Sequence, residues 1–226
     1  MSEPIFILKG NIVYSRSEKE LAIYEHGYLV CRNGKVDGIY QTLPFRLGGN
    51  PIRDYGDCLI IPGLVDMHIH APQYSYRGLG MDMELLEWLE VNTFPEEAKF
   101  ESVDYAKRAY GIFVENLRRS ATTRACIFGT VHRPATLLLM DMLEKTGLDT
   151  YVGKVNMDRN CPDYICEETQ ESAEETLEWI KDVNHRKYQN THPILTPRFT
   201  PSCTDELMEE LKKLQMRYDL PVQSHL

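Results

Sequence analysis

The segment Pro62-Gly63-Leu64-Val65-Asp66-Met67-His68-Ile69-His70 places two imidazoles two residues apart at the end of a short apolar run. On a β-strand, residues two apart share a face. His68 and His70 are therefore predicted to aim two nitrogen donors at one point, half of a metal site. The run 221–225 ends in His225, a third donor candidate whose face Gln223 shares. The other histidines fit less well. His26 lies in a β-rich segment, His185 late in a polar helix, and His192 just before Pro193 at the start of a strand. His132 follows a predicted strand and is a secondary candidate. The cysteines offer no competing zinc set, because there is no C-x-x-C and Cys161 and Cys166 have no neighbouring pair. The H-x-E with P-C-x-x-C signature of cytidine-deaminase-type enzymes is missing, and so is a G-x-S-x-G nucleophile elbow.

Parallel strands covered by helices would position these groups. After Pro62-Gly63, apolar runs at 64–70, 122–128, 151–157, 193–199 and 221–225 alternate with helical segments at 102–119, 136–145, 174–188 and 204–218. In 102–119, Val103, Ala106, Tyr110, Phe113 and Leu117 recur every three or four positions. Gly147 punctuates the second helix, and Ser172 with Glu175 reads as a capping box for the third. Asp205 and Glu206 suit the N-terminus of the fourth. The glutamate-rich stretch 167–178 reads as a solvated helix start. This alternation predicts an α/β fold, either a (β/α)₈ barrel or an open doubly wound sheet. No G-x-G-x-x-G or P-loop follows any strand, which favours the barrel. Five strands are counted where a complete barrel has eight in about 250 residues. The expectation is a barrel truncated after about five strands, part of a longer enzyme.

The first sixty residues differ in character. Ile5 to Val13, Tyr28 to Cys31, Val36 to Tyr40 and Cys58 to Ile61 read as strands, with Asn33-Gly34 as a tight hairpin turn. The expected division is a β-sandwich portion at 1–61 and the first part of the metal-dependent barrel at 62–226.

Composition sets the outer bounds. The chain has 226 residues, 42% hydrophobic and 26% charged, which suits a globular core. Its net charge of −9 argues against nucleic acid and against anionic membrane surfaces as partners. No apolar run approaches the roughly 20 residues of a membrane span, and the N-terminus does not read as a secretory signal. The six cysteines are read as reduced thiols of a cytosolic protein.

Pro62 to His70 resembles the first barrel strand of the amidohydrolase superfamily. The resemblance continues through His68-Ile-His-Ala-Pro-Gln-Tyr-Ser-Tyr76, Leu85-Leu-Glu-Trp-Leu89, Thr93-Phe-Pro95, Val152-Gly-Lys-Val155, Thr196-Pro-Arg-Phe199 and Gln223-Ser-His225. As an ordered set these resemble the guanine deaminases within that superfamily. The resemblance implies a β-sandwich flanking a (β/α)₈ barrel and one zinc ion per subunit on His68, His70 and His225, with iron as the alternative metal. It implies substrate contacts from His70, Gln73, Arg198, Phe199 and His225. Trp88 reads either as a wall of the pocket or as a packed helix residue. The implied reaction is hydrolytic deamination of guanine to xanthine and ammonia, within purine catabolism, by a cytoplasmic homodimer. The family's proton-moving Glu and metal-binding Asp are expected beyond Leu226, so no catalytic carboxylate is assigned here. Ala121 stands where the pattern usually has Gly, and Met67 where it usually has Thr. Two other readings accompany this one: a related hydrolase acting on another ring, and an inactive metal-binding fragment.

Overall fold

A computed structural model describes residues 5–225. By its internal contacts the chain forms two units, one running to Gly63 and the other beginning at Leu64.

The first unit is a four-stranded sheet of β1 (Ile5–Ser17), β2 (Glu20–Arg32), β3 (Lys35–Tyr40) and β4 (Ile52–Ile60), in the order β3-β2-β1-β4. β1 runs on through Gly10-Asn11. A register shift there absorbs the irregularity, and the Asn11 side chain bonds the His26 backbone on β2. Asn33 and Gly34 have φ of 51° and 75°, the left-handed geometry that a two-residue hairpin requires. β4 begins six residues earlier than the apolar run at 58–61 suggests. Its polar residues pair in parallel with β1, and Lys9 and Asp54 form an ion pair at 2.8 Å across the two strands. Ile7, Val30 and Leu47 form the small core of this unit.

The second unit is built on parallel strands. β5 (Leu64–His70), β6 (Thr122–Phe128), β7 (Asp149–Gly153) and β9 (Thr191–Pro193) pair in the order β5-β6-β7-β9. β8 (Val155–Asn156) pairs with β10 (Thr196–Pro197). The apolar runs at 151–157 and 193–199 are thus each broken in two. Pro193 has no N–H for the ladder, yet the register is unchanged across the gap, from Val152 facing Pro193 to Val155 facing Thr196. The run at 221–225 pairs only at two isolated bridges, Leu195 with Val222 and Phe199 with His225. This is still a parallel alignment, and it carries His225 to the end of the fourth run.

The helices differ from the sequence expectation mainly at their starts. After β5 comes a 3₁₀ turn (Pro72–Tyr76), then α1 (Leu85–Trp88), a π-turn (Leu89–Thr93) and α2 (Phe94–Ala98). α3 (Val103–Arg119) is capped by the Ser102 side chain, which accepts from the Tyr105 N–H. Its stripe is buried as predicted from Ala106 to Leu117, but Val103 is exposed. α4 (Arg133–Glu144) begins three residues before the predicted helix, with Pro134 in its first turn, where a missing N–H is harmless. α5 (Thr169–Arg186) also begins early, so Ser172 is not a cap. It lies inside the helix, donating to Glu167 and accepting from Asn156. Glu167 is correspondingly not solvated: it pairs with the buried Lys154 at 2.6 Å. α6 (Asp205–Tyr218) is capped by Thr204. The main core packs β6 and β7 against these helices through Phe113, Ile127, Leu139, Met140, Trp179 and Leu207.

One expectation needs correction here. Cys161 and Cys166 are not reduced thiols but a disulfide. Both lie on the loop between β8 and α5 with Cα atoms 5.4 Å apart, inside the bonding range. Among the described residues no helix is long and apolar enough to cross a membrane.

Candidate metal centre and its pocket

The residues of β5 alternate, so His68 and His70 leave its C-terminal end on one side. Both rings pack on Phe128 of β6, with centroids 4.9 and 4.4 Å away. His225 reaches the same point from the Phe199 bridge. Its Nε2 lies 3.0 Å from Nε2 of His70 and 3.2 Å from Nε2 of His68. A carbonyl oxygen only accepts, so the 2.5 Å contact between His225 Nδ1 and the Arg198 carbonyl places a proton on Nδ1. In the neutral ring Nε2 then keeps its lone pair. Burial, above all, holds His70 well below the ordinary histidine pKa, with Arg198 and the other two imidazoles adding to it. Burial also lowers His225. Nitrogens this close suit a shared cation: four donors at about 2.05 Å around a tetrahedral zinc lie about 3.3 Å from one another. The three residues form a group whose ligand atoms all lie within 4.8 Å.

The centre opens into a cavity of about 600 Å³ whose lining includes Gln73, Trp88, Arg198 and Phe199. Gln73 sits in the 3₁₀ turn after β5, its Nε2 3.1 Å from Nδ1 of His70. Phe199 stands edge-on to the His225 ring, at 6.4 Å between centroids. The Trp88 indole donates to the Leu79 carbonyl and is one of the residues lining the cavity. Arg198 is 2% exposed. Its guanidinium carbon lies 5.2 Å from the centre of the Phe94 ring.

The structure thus brings His68, His70, Gln73, Arg198, Phe199 and His225 to one cavity. His132, His185 and His192 are not among the residues that line it. His132 precedes α4 and its Nε2 is buried without a partner among the described residues. His192 faces Asp149 at 3.4 Å, at the start of β9. No Asp or Glu is among the residues that line the cavity.

Glu97, which no sequence pattern singles out, also belongs to the site. It is 1% exposed and receives both terminal nitrogens of Arg198, at 2.6 and 3.2 Å, and Nε2 of Gln73 at 3.2 Å. The segment Thr93-Phe-Pro-Glu-Glu97 carries two adjacent carboxylates, and nothing in that order tells which is inward. Helical geometry separates them. Glu96 turns out to Lys99, Ser75 and Tyr105, and Glu97 turns in, one helical step further round.

The amidohydrolase family matches this chain over residues 59–226. Guanine deaminase of Dictyostelium discoideum is 43% identical over 173 residues, covering 76% of this chain and 38% of that protein. Guanine deaminase of Escherichia coli is 35% identical over 212 residues, covering 91% of this chain and 47% of that protein. Among solved structures, guanine deaminase from C. acetobutylicum with bound guanine in the active site superposes with a TM-score of 0.92 at 47% identity. That match covers 98% of this chain and 53% of the solved one, so the chain spans about half the length of such relatives, or less. The family match over most of the chain, seated on the same strands that bring the three histidines together, establishes that this protein belongs to the amidohydrolase family.

Proposed function

We propose that this chain carries the metal centre and much of the substrate wall of a zinc-dependent guanine deaminase, which hydrolyses guanine to xanthine and ammonia in purine breakdown. The observation that carries the reading is the meeting of three imidazole nitrogens beside a buried arginine in one cavity. His68 and His225 would hold one zinc through Nε2, and His70 would join them through Nε2 once it releases the proton that its Nδ1 contact with the Gln73 amide nitrogen implies there. Bound there, zinc would supply Lewis acidity able to bring a water's pKa to about 7.

The chain's own residues do the rest of the positioning. Arg198 offers fixed N–H donors to a purine carbonyl and ring nitrogen. Phe199 offers an aromatic face, and Trp88 walls the cavity and limits water. Gln73 brings an amide within reach of the ring edge and of His70. The cavity lining supplies no carboxylate to move protons from the nucleophile to the leaving amine. In this reading that step belongs to the Glu and the Asp that the family resemblance implies, which these residues do not include. A cytoplasmic homodimer belongs to the same reading.

Zinc content and ligand binding test it directly. The zinc-loaded chain is expected to hold one ion and to bind guanine in a titration calorimeter, with adenosine and cytosine much weaker. Equal binding of all three, or no zinc, would contradict the reading. A preference for another ring would favour a different hydrolase of the same superfamily.

A further inference from the structure

We propose that Glu97 is the positioning residue of the purine wall, a single buried carboxylate that holds Arg198 and Gln73 in register and cancels the arginine charge. This deepens the guanine reading and rests on it. Glu97 does not line the cavity, so it acts through its neighbours. Its Oε2 accepts from Arg198 Nη1 at 2.6 Å, and its Oε1 accepts from Arg198 Nη2 and Gln73 Nε2, both at 3.2 Å.

Three elements distant in sequence meet at that carboxylate: the turn after β5, α2, and the end of the fourth apolar run. End-on pairing uses two of the five guanidinium N–H groups and fixes the plane of the other three. The same carboxylate fixes the nitrogen side of the Gln73 amide, whose oxygen has no partner among the described residues. Two long side chains are thereby ordered before any ligand arrives, and the ordering cost is not charged against binding. Pairing also makes the wall a neutral, oriented donor set. Such a wall suits an uncharged purine, whereas a lone buried guanidinium would favour an anion.

The test is calorimetry on the zinc-loaded full chain with guanine and with urate, an anionic purine. Glu97→Gln is expected to weaken guanine by about a hundredfold, as for loss of a buried charge-assisted partner. Urate should fall by no more than about tenfold, because the freed guanidinium charge attracts it. Zinc content should not change. Glu97→Asp keeps the charge and the fold but draws the carboxylate back, and should lose about tenfold for guanine. In an Arg198→Ala protein, adding Glu97→Gln should cost no more than about tenfold, the share carried by Gln73, against about a hundredfold in the unaltered protein.

Unchanged guanine binding in Glu97→Gln would overturn the proposal, and so would equal losses for guanine and urate, or additive losses. If Glu97→Gln does not fold, full guanine affinity in Glu97→Asp overturns it. Failure of the unaltered protein to bind guanine would instead sink the substrate reading on which the proposal stands.

Discussion

The Arg198 backbone and side chain serve different parts of the site. Its carbonyl takes the Nδ1 proton of His225 and so leaves the Nε2 lone pair facing the other two imidazoles. Its guanidinium is locked to Glu97 beside the cavity. The two roles separate on substitution. Arg198→Ala leaves the backbone carbonyl, so zinc binding should persist. Removing the guanidinium strands a buried carboxylate, which should cost about 3–5 kcal/mol in urea denaturation and steeply weaken guanine. Loss of zinc in that variant would contradict the division. His225→Ala should show the opposite pattern, weakening or losing zinc with only a small change in the urea midpoint measured without zinc, because its ring is half-buried at the cavity edge.

At the scale of elements, the site depends on the close approach of neighbouring strands. A Cβ on Gly153 would lie 1.7 Å from Thr196 Oγ1 and 2.5 Å from the Ile194 carbonyl, where β7 gives way to β8. Gly153→Ala must therefore push the 151–157 run away from the 193–199 run that carries Arg198 and Phe199. A loss of about 3 kcal/mol or more is expected by thermal denaturation, at the upper end of overpacking costs. A wild-type midpoint would show that the approach is not needed. Behind the sheet, Glu144 at the end of α4 accepts from the backbone N–H groups of Gln189 and Asn190 ahead of β9. Partial burial pushes its carboxyl pKa up, but these bonds outweigh burial and hold it below the usual glutamate value. The depressed folded-state pKa means stability that is present above the unfolded-state pKa and is lost as pH falls through the folded one. Glu144→Gln should thus be less stable near neutral pH, and the difference should shrink on acidification. A difference that does not change with pH would contradict it.

For the molecule as a whole, the parts that follow from periodicity were legible in the sequence. The parallel strands, the apolar stripe of α3 and the Asn33-Gly34 hairpin depend on local pattern, and His68 and His70 share a face because strand geometry demands it. What was not legible depended on long-range pairing. β4 extends into polar residues because β1 offers it a parallel partner. Ser172 gives up its cap because Asn156 and Glu167 engage it from other segments. Cys161 and Cys166 meet because of the loop path before α5, and Glu97 is identified only by the two side chains that converge on it. The position of His225 lay between these cases: its residue type and strand-end position were visible, but its distance from the other two rings was not. That convergence is the central claim, and X-ray absorption at the zinc edge tests it most directly. The account expects one zinc per chain with three imidazole nitrogens at about 2.0–2.1 Å, reduced to two in His225→Ala or lost with the metal. A first shell containing cysteine sulfur, or one unchanged by His225→Ala, would contradict it.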